Sequence, residues 1–162
     1  INHLSIPRHV VSIKPQKLEI HGFCDASEGS YDACIYISTK TANGISQSRL
    51  LCSKNKVAPL KTIIIPRLEL CGALLFAQLI HKIMQNFNIS VNNVFYWSDS
   101  QIVLAWLQTE PSNLKIFVAH RVAEIQTLTD IENWHYIPTS DNPADILSRG
   151  TTVQNLTQSK LW

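Results

Sequence analysis

The hydrophobic period of this chain changes once, at Pro66, and that switch sets the class of fold open to it. Before it lie three short stretches of strand character, 18–24 (LEIHGFC), 33–37 (ACIYI) and about 47–53, parted by Glu28-Gly29-Ser30 and by the polar stretch 41–44. Three strands in succession with short turns form an antiparallel meander. After Pro66 the period becomes helical: Leu70, Leu74, Ala77, Ile80 and Met84 recur at spacings of three and four, predicting a helix from Leu68 to about Met84. Proline ends the strand pattern and suits a helix entry. Val94-Phe95-Tyr96-Trp97 shows no alternation, which predicts a strand buried on both faces. Ser98-Asp99-Ser100 offers N-caps for a helix to about Gln108, which Pro111 ends. A further helix over about 113–128, a strand at Trp134–Ile137, a turn at Pro138–Pro143 and a short helix at Ala144–Arg149 complete the order βββ-α-β-α-α-β-α. That order predicts an α/β domain over 18–150, with a five-stranded mixed sheet flanked by helices. Residues 1–17 read as an N-terminal extension and the polar 151–162 as a linker toward a downstream domain.

A length of 162 residues suits one domain, and 45% hydrophobic residues against 16% charged excludes wholesale disorder. The net charge of +2 hides a split. Residues 33–68 carry six basic side chains (Lys40, Arg49, Lys54, Lys56, Lys61, Arg67) and no acidic one, while the rest holds eight basic and twelve acidic. The segments are therefore +6 and −4, which suggests a face for a polyanion; lysines that protect a sheet edge from pairing are the other reading. The chain opens at Ile1 and its single methionine is Met84, so it is expected to be an excerpt of something longer. No secretory leader pattern opens it. The most apolar stretch, Ile63 to Met84, is broken by Pro66, Arg67 and Glu69, so no membrane partner is expected. Cys24, Cys34, Cys52 and Cys71 form no CxxC pair, which removes zinc-site spacing and fits buried free thiols in a reducing compartment. Trp97, Trp106 and Trp134 fall in strand or helix patterns and read as core.

Four acidic residues stand at the ends of these elements. Asp25 ends the first strand, Glu69 opens the long helix, Asp99 ends the aromatic strand and Asp145 opens the last helix. Singly each has an ordinary explanation, because acidic groups are favoured at helix N-termini and Asp forms turns. Together they pose a different question. Four converging carboxylates cannot all stay ionised without cations. Hard divalent ions answer that, Mg²⁺ foremost, and a Mg²⁺ pair is a known solution for phosphodiester hydrolysis. The serines invite a hydrolase reading, but no G-x-S-x-G elbow exists.

FCDAS (23–27), PRLEL (66–70), YWSDS (96–100), NPADILSRG (142–150) and the stretch LLCSKNKVAPLKTIIIPRLELCGALL (50–75) resemble the ribonuclease H domain of BEL/Pao retrotransposon polyproteins. The resemblance spans about 18–150 and implies a ribonuclease H-like fold. It implies hydrolysis of the RNA strand of RNA–DNA hybrids during reverse transcription, leaving a 3′-hydroxyl and a 5′-phosphate. Carried over by position, the family's metal site falls on Asp25, Glu69, Asp99 and Asp145. Asp25 would bridge two Mg²⁺ ions, with Mn²⁺ able to substitute, Glu69 and Asp99 on the first and Asp145 on the second. Nucleic-acid contacts are expected at Ser27, Lys54, Lys56, Lys61, Arg67, Ser100, Gln101, Ser140 and Asn142. Strand choice would rest on 2′-hydroxyl contacts. The implied partners are the hybrid and the reverse transcriptase and integrase domains of one polyprotein, in retroelement particles of the cytoplasm.

The chain departs from that family in three places. Pro138-Thr139-Ser140-Asp141-Asn142-Pro143 is too short for the His-bearing loop that many ribonucleases H carry and holds no His, and His135 belongs to the strand before it. No basic helical protrusion parts the two middle helices, so hybrid binding must lean on the 33–68 segment or on a neighbouring polymerase. Asp32 stands before Ala33 where the family usually has Gly; it reads either as an exposed charge or as the mark of a copy no longer selected for activity. Two rival functions follow: a catalytically silent connection-type module, or an integrase or transposase core, whose usual Glu comes late in the chain rather than second.

Overall fold

The computed structural model describes residues 16–41, 43–44, 46–86 and 90–159. The N-terminal extension therefore lies outside the described residues except for Gln16 and Lys17. The elements are β1 (Lys17–Ala26), β2 (Ser30–Lys40), β3 (Ser46–Val57), α1 (Ile65–Asn86), β4 (Asn93–Ser98), α2 (Gln101–Leu107), α3 (Ile116–Leu128), β5 (Trp134–Tyr136), α4 (Pro143–Ser148) and α5 (Val153–Gln158), with short 3₁₀ turns between some of them. The five strands form one mixed sheet in the order β3-β2-β1-β4-β5. Short turns let β1, β2 and β3 pair antiparallel, whereas β4 and β5, each reached through helices, run parallel to their neighbours.

The first three strands outrun their apolar patterns. β2 starts at Ser30 and β3 runs to Val57, because hairpin pairing carries the hydrogen-bonded ladder past the apolar positions into Ser, Asn and Lys. α1 buries Leu68, Leu70, Ala73, Leu75, Phe76, Ala77 and Ile80, while Leu74 packs only partly and Met84 is exposed. The helix lies close on the sheet at two glycines. A Cβ at Gly22 would stand 1.9 Å from the Phe76 ring, and one at Gly72 would stand 2.8 Å from the main-chain oxygen of Asp25. α3 closes the helical layer with Val118, Val122 and Ile125 buried. Among the described residues no helix is long and apolar enough to cross a membrane.

Three expectations need correction. β4 is not buried on both faces: Tyr96 and Ser98 are buried, whereas Phe95 and Trp97 are half-buried. Trp97 stands outside the core, its indole N–H donating to His21 Nδ1 at 3.3 Å beside the His135 ring, while Trp134 is buried and Trp106 packs on the core. Asp32 is not exposed; its side chain is fully buried. Within the C-terminal stretch, Val153–Gln158 form α5. Cys24 and Cys34 are buried and Cys52 and Cys71 half-buried, all four as free thiols.

Candidate active site

The sheet order places the ends of β1 and β4 side by side, since these strands pair in parallel from Glu19 with Asn93 to Cys24 with Ser98. Asp25 and Asp99 each follow that pairing by one residue, so their carboxylates leave the sheet at the same edge. Glu69 is in the first turns of α1, which the Gly72 contact holds against Asp25. Asp145 is in the first turn of α4, which packs across β1 and β2. Four elements thus deliver four carboxylates to one pocket of about 350 Å³, lined also by Ala26, Ser27, Glu28, Ile65, Thr139 and Arg149.

Each carboxylate has a local partner. Asp25 is 6% exposed and accepts from the Ser148 hydroxyl. Glu69 accepts from Ser100 Oγ at 2.5 Å, and Asp99 from Thr139 Oγ1 at 2.7 Å and Asn142 Nδ2 at 3.4 Å. Asp145 pairs with Arg149 Nε at 2.7 Å across one helical turn. Burial pushes the Asp25 carboxyl up to about 7, with the charges on Asp99 and Asp145 adding to the rise and the Ser148 bond opposing it. Burial likewise raises Glu69, and the charge on Asp99 adds to it. The Asp145 bond, then the charges on Asp145, Asp25 and Asp99, hold the Arg149 guanidinium above its ordinary value.

The donors are all hard oxygens, the chemistry of Mg²⁺ or Mn²⁺. Among the described residues no three His, Cys, Asp or Glu side chains stand as a ready set for one ion; Glu69, Asp99 and Asp145 are bonded instead to Ser100, Thr139 and Arg149. All four still line one pocket, where the charges on Asp99 and Asp145 act against that of Asp25, and the charge on Asp99 against that of Glu69. The donor set fits a hard divalent cation in its chemistry, while in this structure Ser100 holds Glu69 and Arg149 holds Asp145.

The other expected contact residues scatter. Ser27 lines the pocket, with its hydroxyl donating to the Ser148 carbonyl. Ser100 and Asn142, two of the expected nucleic-acid contacts, are buried and support the site from inside. Ser100 is 6% exposed, caps α2 by accepting from Val103 N–H, and holds Glu69. Asn142 is fully buried, caps α4 and donates to the carbonyl of Cys24 at 3.1 Å. Gln101 and Ser140 are exposed outside the pocket, as are Lys54 and Lys56 on β3 and Lys61 beyond it. Arg67 lies over the Phe117 ring at 5.0 Å, with Arg121 over the same ring at 3.6 Å. Sequence reasoning missed Thr139, Ser148 and Arg149. Only Arg149 carried a signal, its position four residues after Asp145.

A family model described as Pao retrotransposon-like RNaseH-like domain matches residues 1–100, a span that holds Asp25, Glu69 and Asp99 and stops before Asp145. Among solved structures, LC11-RNase H1 in complex with RNA/DNA hybrid superposes with a TM-score of 0.53 at 15% identity, covering 86% of this chain and 99% of that one. The N-terminal RNase H domain of Rv2228c from Mycobacterium tuberculosis gives a TM-score of 0.47 at 12% identity, covering 78% and 85%. At such identities the first likeness speaks to the fold alone. No curated protein matches the chain by sequence.

Proposed function

Because the chain belongs to the Pao retrotransposon-like RNaseH-like domain family, we propose that it hydrolyses the RNA strand of RNA–DNA hybrids during reverse transcription, using divalent metal held by Asp25, Glu69, Asp99 and Asp145. The observation that carries this reading is the arrival of four carboxylates, from four separate elements, in one pocket. A pair of Mg²⁺ ions, or Mn²⁺ in their place, would supply activation of the attacking water and stabilisation of the leaving 3′-oxygen.

The rest falls to the chain's own residues. Burial holds the Asp25 carboxyl up at about 7, and a divalent cation held in the pocket would favour its ionised form. Thr139 and Asn142 fix the Asp99 carboxylate from one side, and Ser148 fixes Asp25 from the other. Arg149 is the pocket's cation, placed to release Asp145 or to meet a phosphate oxygen of the substrate. The partner is a hybrid like the one in the LC11-RNase H1 complex. Reverse transcriptase and integrase domains of the same polyprotein, acting in cytoplasmic retroelement particles, complete the reading.

A silent scaffold is the rival, favoured by the local partner that each carboxylate already has. Incubation with a labelled RNA–DNA hybrid in Mg²⁺ or Mn²⁺ separates the two. The enzyme cuts the RNA strand, and Asp25→Asn or Asp99→Asn abolishes cutting while circular dichroism stays native. Full activity in either variant would remove these residues from the site, and no cutting by the wild type, alone or fused to its polymerase, would establish the scaffold.

A further inference from the structure

On β2 the side chain of Asp32 is fully buried. A buried carboxylate persists only if its oxygens are answered. Here Asn55 Nδ2 donates to Oδ1 at 2.5 Å and Ser30 Oγ donates to Oδ2 at 3.1 Å. The strand register explains the meeting: Asp32 on β2 pairs with Asn55 on β3 at one side and with Asp25 on β1 at the other. The three side chains thus lie in one row across neighbouring strands.

The row continues into α4. Asn55 also donates to Ser30 Oγ at 3.1 Å, and the single Ser30 hydroxyl proton is shared between two acceptors, Asp32 Oδ2 at 3.1 Å and the main-chain oxygen of Ser148 at 3.0 Å. Ser148 in turn donates its own hydroxyl to Asp25. A six-residue helix has little stability of its own. Its N-terminal end is tied to β1 by Asn142 on the Cys24 carbonyl, and its C-terminal end by Ser27 and Ser30 on the Ser148 carbonyl. That helix carries Asp145, and its last residue holds Asp25.

We propose that Asp32 is a positioning residue for the carboxylate pocket: with Asn55 it orients Ser30, which anchors the end of α4 and so sets Ser148 on Asp25. The metal arm of this proposal rests on the reading of the pocket given above; the anchoring arm does not. Asp32 then belongs to a matched polar row and is no mark of decay.

The test uses the 162-residue chain with Asp32→Ala, Asp32→Asn, Ser148→Ala and the double variant Asp32→Ala/Ser148→Ala, at a temperature where circular dichroism shows all of them folded. Mn²⁺ binding is titrated calorimetrically without substrate, and amide hydrogen exchange is followed over residues 145–149. Asp32→Ala should weaken Mn²⁺ binding about tenfold, the usual scale for losing a hydrogen bond that orients a ligand, and should speed exchange in α4. Asp32→Asn keeps the shape, still accepts from Asn55 through its oxygen and holds Ser30 by a reversed bond, its amide donating to Ser30 Oγ, so it should restore both. The double variant should bind no more weakly than Ser148→Ala alone, because both changes break one path. A lower melting temperature in Asp32→Ala with wild-type Mn²⁺ affinity and wild-type exchange would overturn the proposal. If the wild type binds no Mn²⁺, the metal reading fails and exchange alone decides: faster α4 exchange in Asp32→Ala, reversed in Asp32→Asn, upholds the anchoring role, and unchanged exchange refutes it.

Discussion

Asp25 shows what the pocket asks of a single side chain. Its carboxyl titrates at about 7 and that of Asp32 at about 6, both raised chiefly by burial. An unfolded chain titrates these groups near pH ~4. Between those values the folded chain holds more protons than the unfolded one, so stability falls as pH rises. The contribution is whole below about pH 4 and gone above about pH 7. The metal-free protein should therefore melt at steadily lower temperature from about pH 5 to about pH 7.5. Asp25→Asn should melt higher than the wild type at the upper end and show a shallower slope. A calorimetric pH series checks both, and equal slopes would mean that Asp25 ionises in the fold as freely as in the unfolded chain. The four carboxylates were legible as polar residues at the ends of apolar elements. Their partners were not, because Thr139 meets Asp99 across 40 positions of sequence and Ser148 meets Asp25 across 123.

At the scale of elements, the seat of α1 on β1 decides where Glu69 stands relative to Asp25. Gly72 lets the helix sit on the Asp25 main chain, with 2.8 Å left for a Cβ that glycine lacks. Gly72→Ala forces the helix away from a backbone oxygen that cannot turn aside. Overpacking of this kind destabilises by about 1–3 kcal/mol, readable by urea denaturation. Glu69 sits three residues earlier on the same helix, so cleavage should fall further than the loss of folded protein explains; activity that merely tracks the folded fraction would contradict the link. The helical period of α1 and the antiparallel meander were legible from apolar spacing alone. The two faces of β4 were not, since an unbroken aromatic run looks the same whether a helix covers both sides or only one. The lengths of β2 and β3 depend on partner strands, which supply ladder hydrogen bonds to polar residues with no strand pattern of their own.

Over the whole molecule, charge is the property that reaches a nucleic acid first. The basic excess between residues 33 and 68 sits largely on β3 and the segment beyond it. Lys54 pairs with Ala33 and Lys56 with Tyr31 on β2, so the two lysines share one face of the edge strand. If that face meets the hybrid backbone, affinity falls linearly in log salt, and each Lys→Ala change at 54, 56 or 61 removes about one unit of slope. Fluorescence anisotropy across a salt series measures it. A slope unchanged in the triple variant would assign these lysines to edge protection instead.

By itself the order of residues determined the α/β class, the succession of elements and the identity of four carboxylates at their ends, because apolar period and end position are local properties that packing only has to accept. Tertiary structure alone decided that those carboxylates share a pocket, that Asn142 and Ser100 are supports inside the fold, and that Asp32 is buried in a row with Asn55 and Asp25. Each of those outcomes rests on strand register and on hydrogen bonds between distant segments, and neither exists until the sheet has formed.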